Sequence, residues 1–327
     1  MVLVGAVLAD AALGDPRWLP HPVRAMGAAC TFGERAARAW ARGDARRECI
    51  AGAALTTTIV ALAYAIPQRL IALARARDER AGVACAIVLG WTTLAARDLL
   101  HESGTVLGAL DAGDLARARV RLARIVGRET AHLDANEIAR ATIETLAESA
   151  CDGIVAPLCA LALGGVPLAC AFKATSTLDS MIGHIEAPYT YLGRFAARAD
   201  DVVCYVPARL TALALCATAP LLASPCGSAG AAWRLLRRDG HAHASPNAGQ
   251  SEAALAGALG IRLGGTNVYD GVARETPLLG AEHRVPDAAD MRRARRAVTY
   301  VTLACAIACV TARAFGDAGR ERRRRKR

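Results

Sequence analysis

Hydrophobic and polar positions divide the chain into long charge-free runs separated by strongly charged stretches. Cys49 to Gln68 holds no acidic or basic residue and predicts a membrane span, which needs about 20 apolar residues. Leu210 to Trp233 reads as a second span, closed by Arg209 and Arg234. Ala81 to Ala96 and Ala297 to Ala312 are shorter runs, and Met1 to Leu13 is apolar apart from Asp10. Gly153 to Phe172 is also uncharged but contains Gly164-Gly165-Val166-Pro167. A glycine pair and a proline favour a break there. Two half-length helices would then form a re-entrant hairpin and return Asp152 and Lys173 to one side of the membrane.

The polar stretches predict helices and loops. Gly14 to Arg24 contains three prolines and predicts an extended loop. Arg35 to Arg47 reads as one basic surface helix, and Arg69 to Arg80 as a short basic connection. From Leu99 to Asp152 the composition is that of a helical lobe. Within it Asp114 caps the helix bearing Arg117, Arg121 and Arg124, and Gly127-Arg128-Glu129-Thr130 breaks the chain before an acidic helix. Arg237 to Arg296 reads as loop-rich with one helix, entered through Ser245-Pro246-Asn247. No period-2 alternation is long enough to predict a sheet, and no internal repeat is visible. The fold class is all-α: a polytopic integral membrane protein with helical polar lobes between its spans. It reads as one membrane-embedded domain over residues 1–327. Its polar parts are a helical lobe at 97–152, a loop-rich section at 234–296 and a basic tail at 313–327.

Composition supports this assignment. The 327 residues are 54% hydrophobic, and a mean hydropathy of +0.25 is high for a water-soluble chain. The eleven cysteines form no CxxC pair. They read as small buried hydrophobes of a reduced protein. Much of the +10 net charge lies in Arg292 to Arg296 and Arg320 to Arg327. Only 4% of residues are aromatic, so the tail lacks the stacking partners of a nucleic-acid surface. A basic tail after an apolar run places the C-terminus in the cytoplasm by the positive-inside rule. Met1 to Leu13 has no basic flank and does not read as a cleavable signal. P-loop, dinucleotide-binding, GxSxG and HExxH motifs are absent.

Candidate chemistry concentrates between Glu137 and Asp201. At 3.6 residues per turn, Asp134, Glu137, Glu144, Glu148 and Asp152 fall within roughly 80° on a helical wheel. Glu144 with Glu148, and Glu148 with Asp152, are like-charge pairs four residues apart, with a mutual cost of a few tenths of a kcal/mol. Arg140 relieves one end of the stripe, and a bound cation such as Mg²⁺ would relieve the rest. Lys173 ends the adjoining apolar run in a chain whose other bases are nearly all arginine. Asp15 and His21 form an ionisable cluster beside a membrane segment. The start of the helix after Ser245 offers free N–H groups to an anion.

Several of these stretches, taken in order, resemble the adenosylcobinamide-phosphate synthase (CobD/CbiB) family of cobalamin biosynthesis. They are Gly14-Asp15-Pro16 with His21-Pro22-Val23, Ala96-Arg97-Asp98-Leu99, and Glu144-Thr145-Leu146-Ala147-Glu148 with Asp152-Gly153 and Ala156-Pro157. Next come Lys173-Ala174 with Thr177 to Gly183, Ala197-Arg198 with Asp200-Asp201, Pro207-Ala208-Arg209-Leu210 and Ser245-Pro246-Asn247-Ala248-Gly249. The chain departs from the family at Ser149, Ser176 and Cys204, where asparagine is usual, and at His184, where tyrosine is often found.

The resemblance implies a membrane enzyme that forms an amide, with ATP as co-substrate. It would join aminopropanol or its O-phosphate to a propionate carboxylate of adenosylcobyric acid. It implies catalytic roles for Glu144, Glu148, Asp152, Lys173 and Asp179, the first three as candidate Mg²⁺ ligands. Substrate contacts fall to Asp15, His21, Arg97, Asp98, Arg128, Arg198, Asp201, Arg209, Ser245 and Asn247. Expected partners are the corrinoid, the amino-alcohol phosphate, the lipid bilayer of the inner membrane and other membrane-associated cobalamin-assembly enzymes, without nucleic acid. A transporter or membrane scaffold is the competing reading, and a soluble helical enzyme with an apolar core is a third.

Overall fold

The computed structural model describes residues 1–16 and 20–325, with side chains as far as Gly316. The expected loop residues Arg17, Trp18 and Leu19, and the side chains of the arginine tail, therefore lie outside the described residues. Among the described residues the secondary structure is helical apart from one hairpin. The first helices are α1 (Val2–Leu13), α2 (Pro22–Ala41), α3 (Ala45–Arg77), α4 (Glu79–Trp91), α5 (Ala96–Asp111) and α6 (Leu115–Leu122). Helix α7 (Ala135–Ala150) runs through a π turn (Cys151–Val155) into α8 (Ala156–Ile182). Then come α9 (Arg194–Thr218), α10 (Ala229–Asp239), α11 (Ala248–Leu259), strands β1 (Leu263–Tyr269) and β2 (Val272–Leu279), and α12 (Ala288–Arg325).

These elements form two compact units. One contains Met1–Ala95, Ala156–Cys204 and Ala306–Arg327; the other contains Ala96–Val155 and Tyr205–Cys305. Both polar sections expected from the sequence, at 97–152 and 234–296, fall in the second unit.

In the first unit α3 packs against α2, α4 and α8. Cys30, Ile59, Ala63, Ala174, Leu178, Ile182 and Ala196 form a buried apolar cluster. Local chemistry sets the helix ends. The His21 imidazole accepts from Val23 N–H at 3.3 Å, and Pro22 takes the first helical position. The expected loop therefore stops at His21 and does not run to Arg24, because proline at that position has no N–H to lose. The expected helix from Arg35 to Arg47 is in fact two. Arg42 adopts a left-handed conformation, and the Asp44 carboxylate caps α3 by accepting from Arg47 N–H at 2.8 Å.

Five helical stretches are long and apolar enough to cross a membrane: Ala45–Arg77, Glu79–Asp111, Ala135–Ile182, Arg194–Leu222 and Ala288–Gly316. Only 22% of the most apolar window of α3 and 17% of that of α12 is buried within the protein. Leu62, Leu70, Leu73, Leu303 and Ile307 are all exposed. Apolar faces of this extent need a non-aqueous solvent, which removes the soluble-enzyme reading.

The break expected in the apolar run after Gly153 falls at Gly165, whose φ of 72° and ψ of −162° interrupt α8. Carbonyls in the preceding turn lose their helical partners. Arg313 supplies replacements, donating to Leu161 O at 2.7 Å and to Ala162 O at 3.1 Å.

Leu210 to Trp233 is not one span. The helix ends in a 3-10 turn at Ala219–Leu222, and Ser228 caps a new amphipathic helix, α10. Pro225 and Gly227 lie between them and cannot sustain the run. The second unit also contains the sheet that the sequence did not predict, β1 paired antiparallel to β2. Its turn is Asp270-Gly271, with φ of 50° and 75°. Such a dipeptide is a strong hairpin signal. The alternation test failed because Gly264-Gly265 and a register shift break the period-2 pattern of β1.

Candidate functional site

Helix α7 starts with a reciprocal capping box. Asp134 accepts from Glu137 N–H at 2.8 Å, and Glu137 accepts from Asp134 N–H at 2.9 Å. Two acids of the stripe are therefore structural. The third, Glu144, is only 5% exposed. It ion-pairs with Arg128 at 2.7 Å and with Arg140 at 3.2 Å, and it accepts from Gly264 N–H at 2.8 Å. The Asn267 amide oxygen accepts from Arg128 at 2.7 Å and from Arg140 at 3.1 Å, while Thr266 O takes a further Arg140 bond at 3.0 Å.

The unpredicted hairpin thus builds one wall of this cluster. Gly264 has φ +83°, and a side chain there would collide with the Pro277 carbonyl. A glycine is required for the strand to bring its N–H to Glu144. Glu129 fixes the other end of the hairpin, donating its N–H to Val268 O at 2.8 Å and accepting from Gly271 N–H at 2.6 Å.

Among the described residues no group of three or more His, Cys, Asp or Glu side chains is disposed to hold a metal ion. Two guanidiniums compensate Glu144, one end of the stripe that had suggested a cation. Glu148 lies exposed one turn after Glu144. Asp152 stands in the π turn, whose wider winding ends the 3.6-residue register that had aligned it with the stripe.

Helix α11 supplies two further features. Every residue from Ala248 to Leu259 is buried, and small side chains let α10 and α7 pack closely on it. At its start, Ser245 Oγ accepts from Asn247 N–H at 3.3 Å and from Ala248 N–H at 3.2 Å. Arg209 donates to the Asn247 amide oxygen at 3.1 Å and lies over the Tyr205 ring, 3.4 Å from its centroid. Arg209 thus meets Asn247 at the helix start. His243 accepts from Ser245 N–H at 3.0 Å, and burial pushes its imidazole below the usual histidine range, so it is held neutral.

Further along α11 is Glu252, a residue the sequence reading passed over. It is 6% exposed. Burial, with Glu144 and Glu148 near it, pushes this group well above the usual carboxylate range, against the pull of Arg128 and Arg140. Glu252 carried no local signal, because only packing brings it beside α7. Asn267 was missed for the same reason, whereas the Arg140–Glu144 pairing expected along the helix is present.

The remaining expected residues divide between the units. Arg97 and Asp98 lie in the first turn of α5, in the second unit. The first unit holds Lys173 and Asp179 on α8, both partly buried, with exposed Arg198 and partly buried Asp201 on α9. It also holds Asp15, whose carboxylate is 3.7 Å from His21 Nε2. Asp200, beside Asp201, is more buried and accepts a 3.5 Å contact from the Cys204 thiol.

Fold and site together define a multi-pass helical membrane protein with a buried arginine–carboxylate cluster in its polar unit. The model of the family described as CobD/Cbib protein matches residues 3–298. The chain is 44% identical over 292 residues to "Cobalamin biosynthesis protein CobD" of Geobacter metallireducens, covering 89% of each chain. It is 45% identical over 306 residues to the protein of that name from Pelobacter propionicus, covering 94% of this chain and 93% of the relative. With "Cobalamin biosynthesis protein CbiB" of Salmonella typhimurium it shares 41% identity over 313 residues, 95% of this chain and 96% of the other. The chain belongs to the CobD/CbiB family. No solved structure matches it.

Proposed function

We propose that this protein forms the amide bond between a propionate carboxylate of adenosylcobyric acid and the amine of aminopropanol or its O-phosphate, with ATP as co-substrate. Family membership assigns it to cobalamin biosynthesis; the reaction is our reading. The observation that carries it is the spacing along α11. A helix start bonded to Arg209 suits a phosphate, and a buried carboxyl group follows at Glu252. Asn247 and Glu252 are five positions apart, about 7.5 Å of helix rise and about 140° of turn. A short amino-alcohol phosphate would reach both by curving round the first turn of α11. Its phosphate would lie at Arg209, Asn247 and Ser245, and its ammonium at Glu252.

The chemistry then balances as follows. The corrinoid carboxylate attacks the γ-phosphate of ATP, releasing ADP and leaving an acyl phosphate. Glu252 takes a proton from the ammonium, the free amine attacks the acyl carbon, and inorganic phosphate leaves. Arg128, held in place by Glu144 and Asn267, offsets charge on the carboxylate and then on the departing phosphate. Any Mg²⁺ arrives with ATP as part of that substrate, because Glu144 is already paired.

Glu252→Gln tests this reading. It keeps shape and volume but cannot accept a proton, so turnover should fall about 100-fold or more while the protein still accumulates in membranes. Complementation of cells blocked between cobyric acid and cobinamide gives the readout. Near-normal complementation by the Gln variant would remove Glu252 from the chemistry. Failure of the unaltered protein to complement would remove the amide-forming reaction itself.

We also place the protein in the inner membrane with its basic tail in the cytoplasm, as the positive-inside rule supports. A membrane-impermeant thiol reagent should leave a cysteine introduced after Arg320 unlabelled in intact spheroplasts. Labelling there would reverse the orientation.

A further inference from the structure

The break in α8 opens onto a cavity of about 350 Å³ within the first unit. Leu3, Ile71, Ala86, Leu161 and Val166 form its apolar wall. Arg75 and Arg313 also line it. Arg75 is near the end of α3, and Arg313 is near the end of the apolar stretch Ala288–Gly316 of α12. Helix ends rich in arginine mark the edge of a bilayer, so the cavity extends from that edge into the apolar layer. Acidic side chains nearby are few. Arg75 pairs with Glu79 at 3.1 Å, and Asp78 is occupied in capping α4 through Ala81 N–H at 2.9 Å. Arg313 bonds neutral carbonyls of α8, which leaves positive charge in excess on the cavity lining.

Two features of this cavity point to one kind of ligand: its wall is apolar, and two arginines line it. Basic pockets between helices on the cytoplasmic side suit anionic lipid headgroups. We infer that this cavity binds an anionic phospholipid, with one acyl chain against Leu161 and Val166 and its phosphate between Arg75 and Arg313. Lipid in this position would fill the gap left at Gly165 and hold the two halves of α8 in their broken arrangement. The site is separate from the Glu144 cluster and does not depend on the reaction proposed above.

The experiment uses the full chain, purified in detergent and stripped of lipid. Phosphatidylglycerol, phosphatidylcholine or inorganic phosphate is then added, with binding read by native mass spectrometry and by Tm. Phosphatidylglycerol should be retained at least about threefold more than phosphatidylcholine and should raise Tm by about 3 °C. Arg75→Gln should bring the two lipids to parity. Ala72→Trp, which fills the cavity without changing charge, should abolish retention of both. Arg313 is left intact because it bonds the α8 carbonyls. Equal retention of both lipids by the unaltered protein would overturn the inference. So would a preference that survives in Ala72→Trp, which would mean a surface charge effect. A Tm rise with inorganic phosphate equal to that with phosphatidylglycerol would also overturn it, in favour of a soluble phosphate ligand. If Arg75→Gln does not fold, the Ala72→Trp arm decides alone.

Discussion

Arginine answers a deficit of hydrogen bonds in two regions of this protein, with different results. At the break in α8, Arg313 donates to two backbone carbonyls that lost their helical partners. The acceptors there are neutral, so these bonds do not compensate the arginine's charge. Around Glu144, two arginines share one carboxylate, one asparagine amide and a strand carbonyl. There the charges largely compensate one another, and a further carboxyl group, Glu252, stands beside them. The same residue type thus marks a membrane boundary in one place and a preorganised polar site in the other. Whether an arginine meets a carbonyl or a carboxylate separates the two cases.

The comparison predicts unequal costs. Glu144→Gln should have the largest effect, because it leaves Arg128 and Arg140 buried with too little negative charge. Breaking a buried pair in this way costs about 3–5 kcal/mol. Thermal unfolding of the detergent-purified protein, or limited proteolysis of the hairpin at Asp270-Gly271, would show it. A loss below about 1 kcal/mol would mean that the cluster behaves like a solvated surface pair and that the contrast between the regions is false.

A smaller effect is expected at Lys173. It ends an apolar run, where a lysine often serves only to anchor a helix. Arginine would serve an anchor equally well, yet its planar fork does not replace a compact point charge beside a phosphoryl group. Lys173→Arg should therefore insert normally and lose about tenfold in turnover, or about 1.4 kcal/mol of transition-state stabilisation. Full activity in that variant would return Lys173 to an anchoring role. Complementation at matched membrane abundance provides the measurement.

Much of the architecture was legible along the chain. Charge-free length gave the α3 span, and the Gly-Gly-Val-Pro sequence gave the break at Gly165. Both polar sections fall within the second unit, because solvation cost acts on each segment independently of its neighbours. The acidic stripe was legible as a pattern but not in its meaning. Helical periodicity placed Glu144 on one face, yet its partners are Arg128 from a loop, Arg140 from its own helix and a backbone N–H from a hairpin more than a hundred residues away. Span boundaries failed at Leu210 to Trp233 because absence of charge says nothing about where proline and glycine end a helix.

The sequence by itself determined that this is a helical membrane protein of the CobD/CbiB kind, with its charges gathered in polar sections and at helix ends. Those properties follow from local composition and from motifs that stay in order along the chain. Tertiary structure alone decided which charges are partners. A carboxylate's role depends on which groups lie within a few ångströms of it and on how little water reaches it, and neither is encoded by spacing in the chain. Glu137 therefore became a helix cap, Glu144 the anchor of two arginines, and Glu252 the buried acid beside them.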